Sequence, residues 1–434
     1  MNHMPNANRM KASVAIADRP DGLGARLCAI FNALLVSELT GAEFAFTWPE
    51  TYVNSDPFHA VPDVEEVFAP GFVRQHYFAP SAAGSFAAKP LALPQRMPLD
   101  SARKYLSEAL EASNVSLPWN KLLRRIEMPP EEERDLVRRT SKRLQLSSEL
   151  REIRRRAREI ALPPRATALH LRAGDIVYGR FSENPNFTGK TIPTPLAKLI
   201  IDEDSSKMDF VLFGQEQEFA SLMANAGKAQ NANDLLPDLN NSALHSAFKD
   251  VFLMARCQGF YAGSSGFIAF AANIGRCRNL RWDRKRTKAT WAHMILTEVD
   301  KGSETYGLQQ SAFACFFSYN CFDEADTVHR LHALKMARRF SPANRLYGLL
   351  YALNSYDKGQ WEEAESALSE VAKARGMSKE DMLGSSEMKR ILSSRAGTGI
   401  SPYKSHEMGL RSAAEHGCPS AQTLSAVISH KLNH

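Results

Sequence analysis

Apolar positions fall into short unbroken runs over the first two thirds of the chain and into helical stripes over the last third. Ala12 to Ala17 is a short run, followed by Asp18-Arg19-Pro20-Asp21-Gly22-Leu23-Gly24 and a long apolar stretch from about Leu27 to Leu39. This order predicts strand, glycine turn and helix. Glu43 to Trp48 follows Gly41 as a second strand, so the opening is a βαβ unit, which implies a parallel sheet covered by helices. Between Asp56 and Pro130 frequent prolines and weak periodicity predict loops and short helices. Glu131 to Ile160 carries a helical stripe of Leu136, Leu144, Leu146, Leu150 and Ile153, ended by Pro163-Pro164.

A second alternation then begins. Ala166 to Leu171 reads as a buried strand, Phe210 to Phe213 as a strand before Gly214, and Asp250 to Cys257 as a helix. Gly259 to Ala262 is a strand, Phe267 to Ile274 a helix and Asn279 to Trp282 a strand. Beyond about Asp300 helical patterns take over. Asn344 to Ala374 resembles one tetratricopeptide-type hairpin, and Gly409 to Gly417 with Ala421-Gln422 a Sel1-type repeat. The expected architecture is α/β. It has two Rossmann-like domains, 1–160 and 161–300, and an all-helical TPR/Sel1-like appendage, 301–434.

Composition agrees with this picture: 434 residues exceed one ordinary core, and 44% hydrophobic with 24% charged residues describes a folding chain. The formal charge of +6 is small, but basic residues concentrate between Arg134 and Arg165. Without interleaved aromatics or a reader motif, no nucleic-acid partner is expected there. A solvated helix face is the simpler account, and attraction to an anionic donor or peripheral attachment to a membrane is the alternative. Six scattered cysteines read as buried, reduced thiols, and the polar Met1–Met10 segment lacks the apolar core of a secretory signal. A cytoplasmic protein without a membrane span is expected.

Three segments carry chemistry. Gly22-Leu23-Gly24-Ala25-Arg26 stands between strand and helix, where glycines let backbone N–H groups approach a ligand and the helix N-terminus favours negative charge. A tight turn would need glycine without any ligand. His170-Leu171-Arg172-Ala173-Gly174-Asp175 ends a strand, and ligands of open parallel sheets bind beyond the strands' carboxyl ends. Arg172 offers a planar donor fork that suits a diphosphate. The bland account makes His170 a core histidine and Arg172 with Asp175 an ion pair. Asp250 precedes Gly263-Ser264-Ser265-Gly266-Phe267, a nest of backbone and hydroxyl donors at a helix start, although serines there also serve as simple caps.

Together these segments resemble the fucosyltransferase superfamily, which includes bacterial α1,2- and α1,6-fucosyltransferases and protein O-fucosyltransferases. The resemblance spans about Ala12 to Trp282 by order and spacing, with close matches confined to the three motifs. It implies a GT-B-like pair of Rossmann domains, a GDP-fucose donor, inversion at the anomeric carbon and no required metal or other cofactor. It assigns Arg172 to the β-phosphate, Gly22, Leu23, Gly24, Arg26 and His170 to donor contacts, Asp250 to guanine, and Ser264, Ser265, Gly266 and Phe267 to the phosphate-side nest. Two positions depart from the family: Ala173 replaces a second arginine, and Ala25-Arg26 replaces an asparagine-led pair.

By this reading Arg172 and the nest stabilise the departing diphosphate as negative charge collects on it. Asp175 is the nearest named base, or else it orients Arg172 or His170. No clustered metal-type ligand set is evident, and Asp202-Glu203-Asp204 reads as a loop. The acceptor is expected to be a glycan or protein, and the helical C-terminus could hold a protein partner. Two other readings stay open: a transferase of the same fold using another nucleotide sugar, or a catalytically silent interaction protein.

Overall fold

The computed structural model describes residues 13–49, 61–79, 88–117, 122–275, 277–392 and 403–432. Ala12, the expected start of the first strand, lies outside them. The opening strand is Val14–Ala17, wholly buried, and Glu43–Phe46 pairs parallel to it with Val14 opposite Glu43 and Ala17 opposite Phe46. Lys89–Pro90 and Val115–Ser116 complete a four-stranded parallel sheet, ordered Glu43–Phe46, Val14–Ala17, Val115–Ser116, Lys89–Pro90. A second sheet has the order Arg278–Asn279, Gly259–Ala262, Ala166–Leu171, Asp209–Gly214, Ala229–Asn231. Its Gly259–Ala262 and Arg278–Asn279 strands run parallel. The chain is mixed α/β with parallel sheets.

The first helix, Leu23–Thr40, starts four residues before the expected Leu27 and ends at Gly41, whose φ of 77° closes it in the left-handed conformation. By length and apolar content this 18-residue helix could cross a membrane, but most of it is buried within the protein. The stripe from Glu131 to Ile160 is two helices, Pro130–Arg143 and Ser148–Glu159, the second capped by Ser147. Half of their basic side chains are matched by carboxylates. Arg139 and Arg143 reach Glu38, Arg155 reaches Glu152 and Glu159, and Arg156 grips Asp238 with two nitrogens at 2.6 and 2.8 Å. Such exposed pairs contribute little stability each.

By its contacts the chain forms two compact units with interleaved sequence. The first holds residues 1–168, 231–260 and 264–280; the second holds 169–230, 261–263 and 281–434. In the first, the Leu23–Thr40 helix packs on the opening strand and on the helix Gly266–Gly275. In the second, everything described after Lys288 is helical or connecting. Helices Arg345–Tyr356 and Trp361–Ala374 pack together where a Cβ on Gly348 would meet Val371 Cγ2 at 2.3 Å, so any larger residue would have to displace the Val371 side chain. Glu407–Glu415 and Pro419–Leu432 form another pair.

The helical region is bound into the second unit by a buried ion cluster. Glu183, 9% exposed, accepts from Arg345 Nε at 3.0 Å, Arg345 Nη2 at 2.8 Å and Arg375 Nη2 at 2.7 Å, and also from the Arg345 backbone N–H at 2.9 Å. Cys28, Cys257, Cys277 and Cys315 are buried and free, and burial pushes each thiol up, Cys277 to about 11 and Cys257 to about 12.

Candidate functional site

In the first unit Gly22 is the N-cap of the opening helix, its carbonyl accepting from Ala25 and Arg26 N–H at 3.0 and 3.3 Å. Leu23 and Gly24 therefore lie inside the first helical turn, where the sequence pattern predicts a turn ahead of the helix. Gly24 has a second duty. A Cβ there would fall 2.4 Å from the Phe267 nitrogen, and one on Gly266 would fall 2.7 Å from the Ala25 nitrogen. Two expected motifs thus meet backbone to backbone, and Cys28 Sγ approaches the Gly266 carbonyl at 3.2 Å beside them. Ser265 is buried and accepts from Phe267 N–H at 3.3 Å, while Ser264 is exposed. The juxtaposition sets two helix N-termini side by side, each with a partial positive charge.

Gly24→Ala should therefore cost about 1–3 kcal/mol through overpacking. Urea unfolding would show it as a lowered midpoint, and an unchanged midpoint would mean the two turns do not touch.

Arg26 points inward, 2% exposed. Its Nε donates to the Asp21 carbonyl and its Nη2 to the Pro49 carbonyl, both at 2.6 Å, and the guanidinium lies 4.9 Å from the Trp48 ring centroid. Burial lowers its pKa to about 10, opposed by Asp21. In this arrangement Arg26 ties the loop before the first helix to the segment after the strand Glu43–Phe46.

Asp250 sits deep in the helix Ala243–Met254, which Ser242 caps, so it does not lead the helix as its sequence position predicts. Its neighbour Lys249 is fully buried, donates to Asn233 Oδ1 at 2.7 Å and stands 3.6 Å from Asp250 Oδ1. Burial pulls the Lys249 pKa down, and Asp250 opposes that pull.

In the second unit the strand Ala166–Leu171 delivers Arg172 to its carboxyl end. Arg172 Nε and Nη2 donate to the two oxygens of Asp175 at 3.2 and 2.8 Å. Asp175 is 2% exposed and Arg172 20% exposed, so the carboxylate is the buried anchor and the guanidinium keeps a face toward solvent. Asp175 orients Arg172. The residues Gly174–Tyr178 form a single π-helical turn, a form that recurs at functional positions. His170, 7% exposed, has its pKa pushed to about 4 by burial first and Arg172 second, and is neutral at pH 7.

Two neighbours outside the expected site residues adjoin this loop, and one of them, Gln215, holds it. Gln215 Oε1 accepts from Ala173 and Gly174 N–H at 3.2 and 2.7 Å. Gly214, at φ 108°, lies where a Cβ would stand 2.4 Å from the Leu171 carbonyl oxygen. Their signal was available: they follow the apolar run Phe210–Phe213 directly, at the carboxyl end of a neighbouring strand. Glu216 comes next, its pKa raised by burial, and it accepts from Tyr178 O–H at 3.1 Å. Among the described residues no group of three or more His, Cys, Asp or Glu could hold a metal ion.

No family model matches the chain, and no curated protein matches it. Solved structures do. The chain is similar to fucosyltransferase NodZ from Bradyrhizobium at 15% identity, covering 60% of this chain and 93% of that one, with a TM-score of 0.35. NodZ α-1,6-fucosyltransferase soaked with GDP-fucose matches at 16% identity over 61% and 93%, TM-score 0.35. POFUT1 in complex with GDP-fucose matches at 12% identity over 63% and 98%, TM-score 0.32. Each likeness is distant in both sequence and superposition.

Proposed function

We propose that this protein is a glycosyltransferase that moves fucose from GDP-fucose to a glycan or protein acceptor, with inversion and without a metal ion. The observation that supports this reading is Arg172 at the carboxyl end of a buried strand, oriented by both oxygens of buried Asp175 and still partly exposed. A guanidinium so fixed needs no reorganisation when negative charge develops on a leaving phosphate, which is where preorganised donors contribute most. Arg172 then does what a divalent cation does in other transferases. The motif order Gly22–Arg26, His170–Asp175, Asp250 and Ser264–Phe267 supports the guanine nucleotide over other bases. We further propose that the helical pairs beyond residue 300 are TPR/Sel1-like and present a surface for a protein partner.

Calorimetry with GDP, UDP and ADP in the presence of EDTA tests the core of this reading. GDP should bind selectively, with the same affinity in chelator as without it. Preference for UDP or ADP would transfer the reading to another nucleotide sugar, and no binding of any of the three would end it.

A further inference from the structure

The connection from Leu171 to Thr194 is long and holds neither strand nor α-helix, only the π-helical turn Gly174–Tyr178 and the 3₁₀ turn Pro185–Lys190. Connections of this length in compact folds are as a rule functional, and a segment without a ladder of its own needs anchors to keep one shape. Arg172 opens it. Its near half folds back on Asp175: Phe181 N–H donates to the Asp175 carbonyl at 2.9 Å, and a Cβ on Gly179 would stand 2.9 Å from the Asp175 Cα. Its far half closes on the near half. The Phe181 and Phe187 rings stack with centroids 4.1 Å apart and planes 6° from parallel, and the Phe181 carbonyl accepts from Asn184 N–H at 3.0 Å.

The anchors come from the helices. Glu183, between the two phenylalanines in the chain, is the carboxylate on which Arg345 and Arg375 converge. The Ser182 carbonyl beside it accepts from Asn344 Nδ2 at 3.4 Å. Asn344 is the N-cap of the helix Arg345–Tyr356, so Glu183 also lies at the positive end of that helix. The helix Leu308–Tyr319 packs on the turn Gly174–Tyr178 itself. The helical region therefore holds the connection both at the turn that carries Asp175 and at the residues that follow it. All of these residues belong to the second unit.

We propose that Glu183 is a positioning residue for Arg172, through which the helical region keeps the phosphate-binding connection in one shape; the assignment rests on the transferase reading above. Glu183 acts at a remove from the donor. It fixes Ser182 and Phe181, Phe181 holds the Asp175 backbone, and Asp175 aims the guanidinium with both carboxylate oxygens. A preorganised charge loses much of its effect when its support loosens, and a misplacement of about 1 Å caused by a remote change can cost about 100-fold in rate.

The experiment compares full-length Glu183→Gln and Arg375→Ala with Glu365→Gln, at a temperature where circular dichroism shows them folded. Arg375 is partly exposed and supplies a single side-chain donor to Glu183, so Arg375→Ala is read alone if Glu183→Gln fails to fold. Glu365 is the control, a carboxylate of the same helical region whose donors are Tyr356, Lys379 and Ser420. Hydrogen exchange reads the connection without substrate: the Ala173, Gly174 and Phe181 amides should exchange about 10-fold faster in Glu183→Gln and Arg375→Ala, and at the wild-type rate in Glu365→Gln. Turnover of GDP-fucose reads the consequence, with kcat falling about 10-fold in the first two variants while GDP affinity falls about 2-fold. In an Arg172→Lys background Glu183→Gln should lower kcat by less than about 2-fold, because it acts through the fork already lost. Wild-type exchange in folded Glu183→Gln and Arg375→Ala, an equal fall of kcat in Glu365→Gln, or full additivity with Arg172→Lys would overturn the assignment. Wild-type protein that binds no GDP would remove the transferase reading, and the exchange rates would still decide whether Glu183 holds the connection.

Discussion

Arg172→Ala is expected to lower turnover of GDP-fucose about 10²- to 10³-fold, the effect of deleting one preorganised donor to a developing negative charge. Arg172 is the basic side chain that the strand end presents with its orientation already fixed, and its loop is pinned from a neighbouring strand by Gln215. On the transferase reading proposed above, the loss should appear in kcat as well as in kcat/KM, because a contact to the leaving phosphate strengthens as the sugar–phosphate bond breaks. Alanine also takes the fork away from buried Asp175, so Arg172→Lys is the cleaner probe. It keeps a cation beside Asp175 but cannot present two parallel N–H donors, and it should still be poor. Steady-state kinetics on both variants, with thermal unfolding as a fold check, decides the matter. Near-normal kcat in a folded Arg172→Ala protein would sink the assignment.

Glu183→Ala should strongly destabilise the second unit. Arg345 is 8% exposed and places two side-chain nitrogens and its backbone N–H on the Glu183 carboxylate, and Arg375 adds a fourth donor. Removing the acceptor leaves buried positive charge without its main partner, a change that typically costs about 3–5 kcal/mol. For a unit of this size that is a fall in melting temperature on the order of 10 °C. Glu387, 3.6 Å from Arg345 and 46% exposed, is too solvated to replace Glu183. Circular dichroism melts of Glu183→Ala and Glu183→Gln would show graded losses. A melting temperature equal to wild type in Glu183→Ala would mean the cluster is not formed in solution.

The elements were largely legible because short apolar runs and glycine punctuation are local signals. Val14–Ala17, Glu43–Phe46, Ala166–Leu171 and Asp209–Gly214 all fall where apolar runs predict strands. The start of the first helix was not, because Leu23-Gly24-Ala25 carries no apolar stripe and glycine argues against helix, while the deciding bonds come from the Gly22 carbonyl. Asp250 is expected at a helix start, yet the stripe Leu244, Ala247, Phe248, Val251 already runs on from the Ser242 cap eight residues upstream and puts it inside the helix.

The same limit explains the site. The His170–Asp175 and Ser264–Phe267 segments were visible as a strand end and a helix start, but the contact of Gly24 with Gly266 and Phe267 joins segments whose neighbouring pair, Cys28 and Gly266, is 238 positions apart. No local pattern encodes such a meeting. Glu183 and Arg345, 162 positions apart, were invisible for the same reason. The donor contact expected of Arg26 meets an inward-turned side chain, whose course depends on the carbonyls of Asp21 and Pro49 and not on any local pattern.

The interleaved make-up of the two units bears on how the chain is made. The first unit includes residues 264–280, among them the helix against which Gly24 packs. On a ribosome that emits the chain from its N-terminus, the first βαβ unit emerges long before that partner helix. Its opening helix, apolar along most of its length, must wait with an uncovered flank until Leu280 has cleared the exit tunnel. Nascent chains stalled between residues 168 and 280 should therefore be the ones that recruit chaperones and resist proteases least.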